Sequence, residues 1–271
     1  MTPVLSAQLV VFHRPKVGST EVEWEDGAGF DPGDPAAGRD PRCVVVDGAT
    51  EAYDSIRWVG QLVESFLGLE PDGRPDLDGP SMDAWFRTVQ RQWRDRAPAQ
   101  FSSLFEERKF TDQGSFATLL GCELVGPGSR RPHWAAVALG DAVLFHVRGG
   151  RLVTQFPPLT AGDFGIDPDG VSTQPAQRAR MRAGLRFATG DLAAGDELFL
   201  CTDALAAWLV GAAADPAGAP WTRLGALEHP DGFTALVREE LRAGRMKNDD
   251  LTLLRVAVSA RPAEVLVLSA P

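Results

Sequence analysis

The sequence RCVVVDGATEAY, Arg42 to Tyr53, joins two segments of opposite character. Its three consecutive valines have no helical period and a strong preference for β structure, which predicts a buried strand. From Ile56 onward the apolar residues fall on one helical face, and this pattern predicts a helix over Ser55–Leu67. Asp47-Gly48 lies at the junction. Taken alone, this pair is typical of a turn or a helix cap, so a functional interpretation requires carboxylates in equivalent places elsewhere.

The composition is that of an ordinary globular protein. Of the 271 residues, 44% are hydrophobic and 24% are charged, which is enough apolar material for a large core. No linker forces a split, so we expect residues 1–271 to form one domain. The net charge of −10 argues against a surface for nucleic acids or anionic membranes. The sequence contains neither an apolar run that could span a bilayer nor the pattern of a signal peptide, and we expect a cytoplasmic protein with no membrane partner.

The cysteines and histidines show no metal-ligand spacing. Cys43, Cys122 and Cys201 each lie in or beside an apolar strand-like run, which favours buried thiols in a reducing compartment. The four histidines are scattered along the chain. Neither residue type therefore points to zinc.

Periodicity and turn residues predict the remaining elements. Before the valine strand we expect strands at Gln8–His13 and Gly18–Trp24, and then a loop at Asp26–Pro41 that is rich in Gly, Pro and Asp. From Ser81 an aromatic stripe marks a second helix, and such a stripe is more typical of a core than of a ligand platform. The later predictions are a helix at Ala99–Glu107, strands at Phe116–Val125, Trp134–Leu139, Ala142–Arg148 and Arg151–Gln155, a helix at Pro175–Phe187, a strand at Glu197–Cys201, helices at Ala204–Val210 and Phe233–Ala243, and strands at Leu251–Val258 and Glu264–Leu268.

The four strands that follow the first helices are predicted to form a meander in one antiparallel sheet. Gly140-Asp141 and Gly149-Gly150 are hairpin signals between them. The order of elements, with strands first, then helices, a meander and alternating elements, predicts the α+β class with largely antiparallel sheets.

Acidic residues recur at predicted strand ends. Glu25-Asp26 ends the second strand, Asp47 ends the valine strand, Asp203 follows ELFLCT, and Asp249-Asp250 precedes LTLLRV. If these strands lie side by side, the carboxylates meet at one edge, where like charges raise one another's pKa unless a cation neutralises them. Clustered carboxylate oxygens suit Mg²⁺ or Mn²⁺. The pattern therefore indicates a metal site that could acidify and position a water.

Six segments in order resemble the metal-dependent serine/threonine protein phosphatases of the 2C type. Each is a weak signal alone, but their order and spacing together are specific, over about Leu9 to Val258. The segments are WEDGAG, VVVDGATEA, GSFATLLGCEL, VALGDAVLFHVRGGRL, GDELFLCTDAL and NDDLTLLRV.

The resemblance implies a fold and a set of roles. The fold is a sandwich of two mainly antiparallel sheets flanked by helices, with two Mn²⁺ or Mg²⁺ ions at one end. Asp47 would bridge both ions, and Asp26 would orient a metal-bound water, so these two are the candidate catalytic residues. One ion would also be held by Glu25 and the Gly48 carbonyl, and the other would be held by the carboxylates of Asp203 and Asp249.

The implied activity is hydrolysis of phosphoserine and phosphothreonine on proteins, with a phosphoprotein substrate and a serine/threonine kinase as counterpart. Asp141, in the hairpin-like motif, is expected to be structural. The family commonly has an arginine that grips phosphate where this chain has Glu21, a charge reversal. Arg14 or Lys16 is nearby and is the candidate substitute.

Other positions also depart from the family. Ala49 stands where some relatives have a histidine proposed as general acid, Ala204 replaces a glycine, Ala207 replaces an acidic residue, and Asp250 replaces an asparagine. These departures motivate alternatives. The chain could be a pseudophosphatase or regulatory binding module, a phosphatase for small molecules or for a dedicated anti-sigma-type partner, or a plain α+β domain with caps and turns at these positions.

Overall fold

The computed structural model describes residues 5–50, 52–69, 73–98, 100–165, 168–213 and 220–260, together with the backbone of 266–267. Its strands are β1 Leu5–Arg14, β2 Asp26–Asp31, β3 Arg42–Gly48, β4 Phe116–Val125, β5 His133–Leu139, β6 Val143–Arg148, β7 Arg151–Phe156, β8 Val171–Ser172, β9 Arg186–Asp191, β10 Asp196–Cys201, β11 Leu251–Ala260 and β12 Leu266–Val267. Its helices are α1 Ser55–Leu67, α2 Gly79–Asp95, α3 Leu104–Arg108, α4 Arg178–Gly184, α5 Asp203–Ala213, α6 Pro220–Gly225 and α7 Pro230–Arg242.

The strands form two sheets. The first sheet has the order β12-β1-β11-β10-β6-β7, and the second has the order β2-β3-β4-β5-β9 with β8 beside β4. All pairings are antiparallel except that of β1 with β12. The predicted class, α+β with two mainly antiparallel sheets flanked by helices, is confirmed.

Three apolar clusters hold the layers together. Between the sheets, β3, β4 and β5 of the second sheet face β1, β10 and β11 of the first. On the outer face of the second sheet, Val44 and Val46 pack against α1 and α2. On the outer face of the first sheet, α5, α6 and α7 cover β6 and β10. The molecule is thus a four-layer αββα sandwich, in which burial of apolar area is the main stabilising contribution.

Helix α1 follows β3 and packs directly on it. Its bounds agree with the prediction. Trp58 is fully buried, and its indole Nε1 donates to the Val171 carbonyl at 2.9 Å, which ties the helix to β8. The aromatic stripe on α2 is likewise buried, as expected for a core face. These contacts fix the position of the strand that ends in Asp47.

The predicted strand at Gly18–Trp24 is wrong, and the first part of the predicted loop Asp26–Pro41 is strand β2. A 3₁₀ turn occupies Glu21–Glu23, and Glu25-Asp26 lies at the start of a strand instead of at the end of one. The glycines of β2 made it look like a loop. They are needed because α1 lies against this strand: a Cβ at Gly27 would lie 2.4 Å from Val59 Cγ1.

The predicted single meander is also wrong. Gly149-Gly150 does form a two-residue hairpin, and both residues have positive φ, +56° and +71°. Gly140-Asp141, however, carries the chain from β5 in the second sheet to β6 in the first. The helix predicted over Pro175–Phe187 is shorter than expected and gives way to edge strand β9. The last predicted strand, Glu264–Leu268, lies mostly outside the described residues.

All three cysteines are buried free thiols, as predicted, and Cys43 lies directly opposite Cys122 across β3 and β4. Among the described helices, none combines the length and the apolar character that a bilayer crossing would need.

Candidate metal centre

The second sheet supplies two carboxylates at one corner of the sandwich. Asp26, the first residue of β2, lies directly opposite Asp47, near the end of β3. Gly48 follows in the tightest part of the corner, where a Cβ would lie 2.4 Å from Ser55 Oγ and 2.5 Å from the Glu25 carbonyl oxygen. Glycine at this position therefore lets β3 pass close to the residue that precedes β2.

The first sheet brings Asp203 and Asp249 to the same corner. Cys201 of β10 pairs with Leu253 of β11, which places the end of β10 beside the start of β11. Thr252 connects the two sheets, because its amide donates to Thr202 Oγ1 at 3.0 Å and its hydroxyl donates to Asp26 Oδ2 at 2.8 Å. The second hydrogen bond joins a strand of one sheet to a strand of the other.

Burial and mutual repulsion raise the pKa values of the acidic groups here. The pKa of Asp26 is raised to about 7 by burial, with Asp250 and Asp203 adding to the rise. Burial also raises the pKa of Asp47 well above its ordinary value, and the neighbouring Asp26 and Asp203 raise it further. For Asp203, burial raises the pKa while the Lys247 ammonium opposes the rise. Carboxylates in this state favour protons or a cation.

Two lysines engage the outer carboxylates of the cluster. Lys16 Nζ lies 3.4 Å from Glu25 Oε2. Lys247 Nζ lies 2.6 Å from Asp249 Oδ2 and 3.9 Å from Asp203 Oδ2. In this arrangement, the described residues include no three His, Cys, Asp or Glu side chains that converge closely enough to hold an ion. Glu25 and Asp249 are turned toward ammonium groups.

The donor set nevertheless fits Mg²⁺ or Mn²⁺ in its chemistry. The cluster consists of carboxylate oxygens, which are the ligands that these hard ions prefer. Asp141 adds a buried carboxylate oxygen, Oδ1, that has no hydrogen-bond partner among the described residues. Such an orphaned acceptor beside Asp203 is what a site for a hydrated cation requires.

Asp141, which was expected to be structural, also lies within electrostatic reach of the acidic cluster. Burial raises the pKa of Asp141 to about 6, and Asp203 adds to the rise. The residue stands where the chain crosses between sheets, so it reaches the cluster from a third direction.

Asp250 has a structural role that no sequence pattern indicated. Its Oδ1 accepts from the Lys16 amide at 2.8 Å and its Oδ2 accepts from the Glu25 amide at 3.0 Å. Asp250 thereby anchors the segment between β1 and β2 to the start of β11, and it holds the backbone of Glu25 in place.

Glu21 occupies the position where the family commonly has an arginine, and its side chain pairs with His13. Its Oε2 lies 3.0 Å from His13 Nε2, and its side chain is 73% exposed. Of the two candidate substitutes, Lys16 lies at the cluster, whereas Arg14 lies close enough to Arg238 for that guanidinium to lower its pKa, an effect second to burial. Lys16 is therefore the better placed cation.

Neither a protein-family model nor a curated protein sequence matches this chain. Solved structures do match it. The catalytic domain of the serine/threonine protein phosphatase PstP in complex with two manganese ions has a TM-score of 0.60 and 17% identity, and the match covers 94% of this chain and 99% of that chain. The chain has the 2C-type phosphatase fold.

Two further structures with the 2C-type fold are similar. The Mycobacterium tuberculosis phosphatase PstP/Ppp has a TM-score of 0.59 and 14% identity over 93% of this chain and 99% of that chain. The Staphylococcus aureus phosphatase Stp1 has a TM-score of 0.61 and 14% identity over 93% of this chain and 94% of that chain. The fold expected from the motif order is therefore confirmed.

In the metal-free protein, we expect the free energy of unfolding to fall as the pH rises from about 4.5 to about 7.5. The pKa of Asp26 is 3.8 as the ordinary value and about 7 in the folded chain. A carboxyl whose folded pKa is raised stabilises fully below its unfolded pKa, and this stabilisation is lost as the pH rises through the folded pKa. A difference of one pKa unit between the folded and unfolded chain corresponds to about 1.4 kcal/mol, so a few kcal/mol are involved.

Urea unfolding in EDTA at intervals across this range measures the slope. Asp26→Asn should make the fall in the free energy of unfolding with pH less steep. Substitution of the exposed Asp191 by Asn should leave this fall unchanged. A profile of the unsubstituted protein that stays flat would contradict the assignment.

Proposed function

We propose that this chain is a Mn²⁺- or Mg²⁺-dependent phosphatase that removes phosphate from phosphoserine and phosphothreonine on proteins. The observation that carries the proposal is the meeting of Asp26, Asp47 and Asp203, from both sheets, with raised pKa values at one corner of a 2C-type fold. A buried group of like charges is costly to maintain, and a divalent cation would offset that cost. The similar PstP structure contains two manganese ions.

We assign the ion-holding roles to Asp47 together with Glu25, the Gly48 carbonyl, Asp203 and Asp249. Divalent ions bound there would lower the pKa of water and neutralise charge on a phosphoryl group. Asp26, which Thr252 orients by a hydrogen bond, would accept the proton of the attacking water. Residue 49 is alanine, which has no proton to donate, so the leaving oxygen would take its proton from solvent or from another side chain.

A polar cavity with both acidic and basic residues lies beside Asp141. Its volume is about 280 Å³, and Arg180 and Arg186 line it together with Asp163 and Asp169. Arg180 Nε pairs with Asp169 Oδ1 at 2.7 Å.

The test is hydrolysis by the purified protein after treatment with EDTA. We expect release of phosphate from an aryl phosphate and from phosphoserine and phosphothreonine peptides when millimolar Mn²⁺ or Mg²⁺ is restored, and none while EDTA is present. A phosphotyrosine peptide serves as the matched substrate control. If none of these substrates is hydrolysed with Mn²⁺, the proposed activity is wrong.

A second candidate is a binding module that keeps the fold without turnover. The specific observation that favours it is the pairing of Glu25 and Asp249 with lysines, which neutralises part of the cluster without a metal. Such a module would bind a phosphoprotein without releasing phosphate. Absence of hydrolysis combined with saturable binding of a phosphopeptide would select this candidate.

We also propose that residues 1–271 act as one domain and that a serine/threonine kinase supplies the phosphorylated protein. Limited proteolysis that leaves a single resistant fragment of nearly full length would support the first point.

A further inference from the structure

Lysine is rare in this chain, and two of its three lysines lie at the candidate metal centre. The 27 basic residues include only Lys16, Lys109 and Lys247, and the rest are arginines. Lys16 and Lys247 pair with carboxylates of the cluster. Lys109 lies in the π-helical turn after α3, away from these carboxylates in the second sheet's helical layer. Two compact ammonium groups are thus concentrated where the acidic residues meet.

Lys247 reaches the cluster from the surface. Its side chain is 63% exposed, while those of Asp203 and Asp249 are 16% and 29% exposed. The ammonium lies between these two carboxylates, 2.6 Å from one and 3.9 Å from the other. A lysine ammonium is a point charge on a flexible four-carbon stem, so it can move to solvent without disturbing the backbone.

An ion and this ammonium would compete for the same oxygen atoms. A Mg²⁺ ion contacts its oxygen ligands at about 2 Å, which places it well inside the space around Asp249 Oδ2 that Lys247 Nζ fills. Two cations so close repel each other. The divalent ion can bind only after the ammonium withdraws.

We propose that Lys247 is a built-in competitor of the divalent ion. Its ammonium holds the position between Asp203 and Asp249, neutralises them while no metal is bound, and lowers the affinity of that position for Mn²⁺ or Mg²⁺. This inference rests on the proposed function, because it concerns the ion that the phosphatase activity would use. The divalent-ion concentration needed for activity would then be higher than it would be without the ammonium.

Calorimetric titration of the full chain with Mn²⁺ after removal of metal by EDTA tests the inference. Lys247→Met removes the charge and retains most of the stem, Lys247→Arg retains the charge, and Lys109→Met is the matched control. We expect Lys247→Met to bind Mn²⁺ about tenfold more tightly than the unsubstituted protein, equivalent to about 1.4 kcal/mol. Lys109→Met should leave the affinity unchanged, and Lys247→Arg should stay within about threefold of it.

Thermal unfolding gives a readout that does not depend on turnover. In EDTA, Lys247→Met should unfold at a lower temperature than the unsubstituted protein, because Asp203 and Asp249 lose their counter-charge. Saturating Mn²⁺ should then raise its midpoint by more than it raises that of the unsubstituted protein. Lys109→Met should show neither change.

The outcomes separate the inference from the proposed function. If Lys247→Met and the unsubstituted protein bind Mn²⁺ equally, the competition is wrong, and the metal premise of the proposed function stands. If neither binds Mn²⁺, the competition and that premise are both wrong. If only Lys247→Met binds, the ammonium excludes the ion completely, which supports the inference and favours the binding-module candidate for the unsubstituted chain.

Discussion

Asp47→Asn is expected to reduce Mn²⁺-dependent hydrolysis of an aryl phosphate at least about a thousandfold. Asp47 interacts with both Asp26 and Asp203 and is assigned to both ions. A metal centre supplies several kcal/mol of transition-state stabilisation, and each 1.36 kcal/mol is worth about a factor of ten in rate. The measurement is kcat and KM with saturating Mn²⁺, and Mn²⁺ affinity by calorimetry should fall in parallel.

In the metal-free chain, the same substitution should raise the free energy of unfolding. Burial and the carboxylates of Asp26 and Asp203 raise the pKa of Asp47, so ionised Asp47 destabilises the folded state. Asn cannot ionise, so we expect Asp47→Asn to be more stable than the unsubstituted protein in EDTA at pH 8. Equal loss of activity and stability would indicate a structural role instead.

Asp231→Asn is a suitable control, because Asp231 is an exposed residue in the first turn of α7 and belongs to no part of the cluster. Its activity and stability should remain within experimental error of those of the unsubstituted protein. Full metal-dependent turnover by Asp47→Asn would remove Asp47 from the catalytic assignment.

Trp58→Ala is expected to lower the free energy of unfolding by about 3 to 5 kcal/mol, more than the other substitutions named here. The indole is fully buried in the apolar cluster that α1 and α2 share with the second sheet, and its ring packs edge-to-face on Trp93 with centroids 5.3 Å apart. Truncation would leave a cavity behind β3 and would also leave the Val171 carbonyl without its donor. The measurement is urea unfolding, with the change read from the midpoint at constant slope.

Two variants separate these contributions. Trp58→Phe keeps most of the volume and loses the hydrogen bond, so it should cost about 1 to 3 kcal/mol. Ile56 lies on the same helix and is 47% exposed. Ile56→Ala should therefore lower the free energy of unfolding by less than about 1 kcal/mol. If Trp58→Ala were no more destabilising than Ile56→Ala, the packing of α1 on β3 would not be the support of this corner.

The elements that the sequence predicted well carry strong local patterns. The valines of β3 are buried on both faces, and α1 has a continuous apolar stripe, so burial and periodicity agree. β2 was missed because its glycines, which lie under α1, have no side chains to report the strand. Local composition cannot distinguish a glycine in a loop from a glycine under a helix.

The division into two sheets was not predictable from local turns. Gly140-Asp141 resembles the genuine hairpin at Gly149-Gly150, but the partners of β5 and β6 are set by packing across the core. Pairing with distant strands leaves no mark in the turn itself. For the same reason, the nearness of Asp141 to Asp203 was not predicted.

At the candidate site, sequence reasoning found the acidic residues and missed their counter-charges. The carboxylates of Asp26 and Asp203 raise the pKa of Asp47, but no three acidic side chains among the described residues converge closely enough to hold an ion. Lys247 precedes Asp249 by only two residues, yet an isolated lysine in a surface loop has no pattern that indicates where its ammonium lies. Side-chain reach across the fold decides such contacts, and it is visible only in three dimensions.

The pairing of β1 with β11 has a consequence for how the chain is made. Leu5 lies opposite Ala260, so β1 has no antiparallel partner until residues 251–260 have left the ribosome. β2, β3, β4 and β5 are neighbours in sequence and can associate long before that, with their inner apolar face uncovered. Contacts between residues so far apart in sequence form slowly during folding. During synthesis this face would be a target for chaperones, and the arrival of Asp249 with β11 would coincide with completion of both the sandwich and its acidic corner.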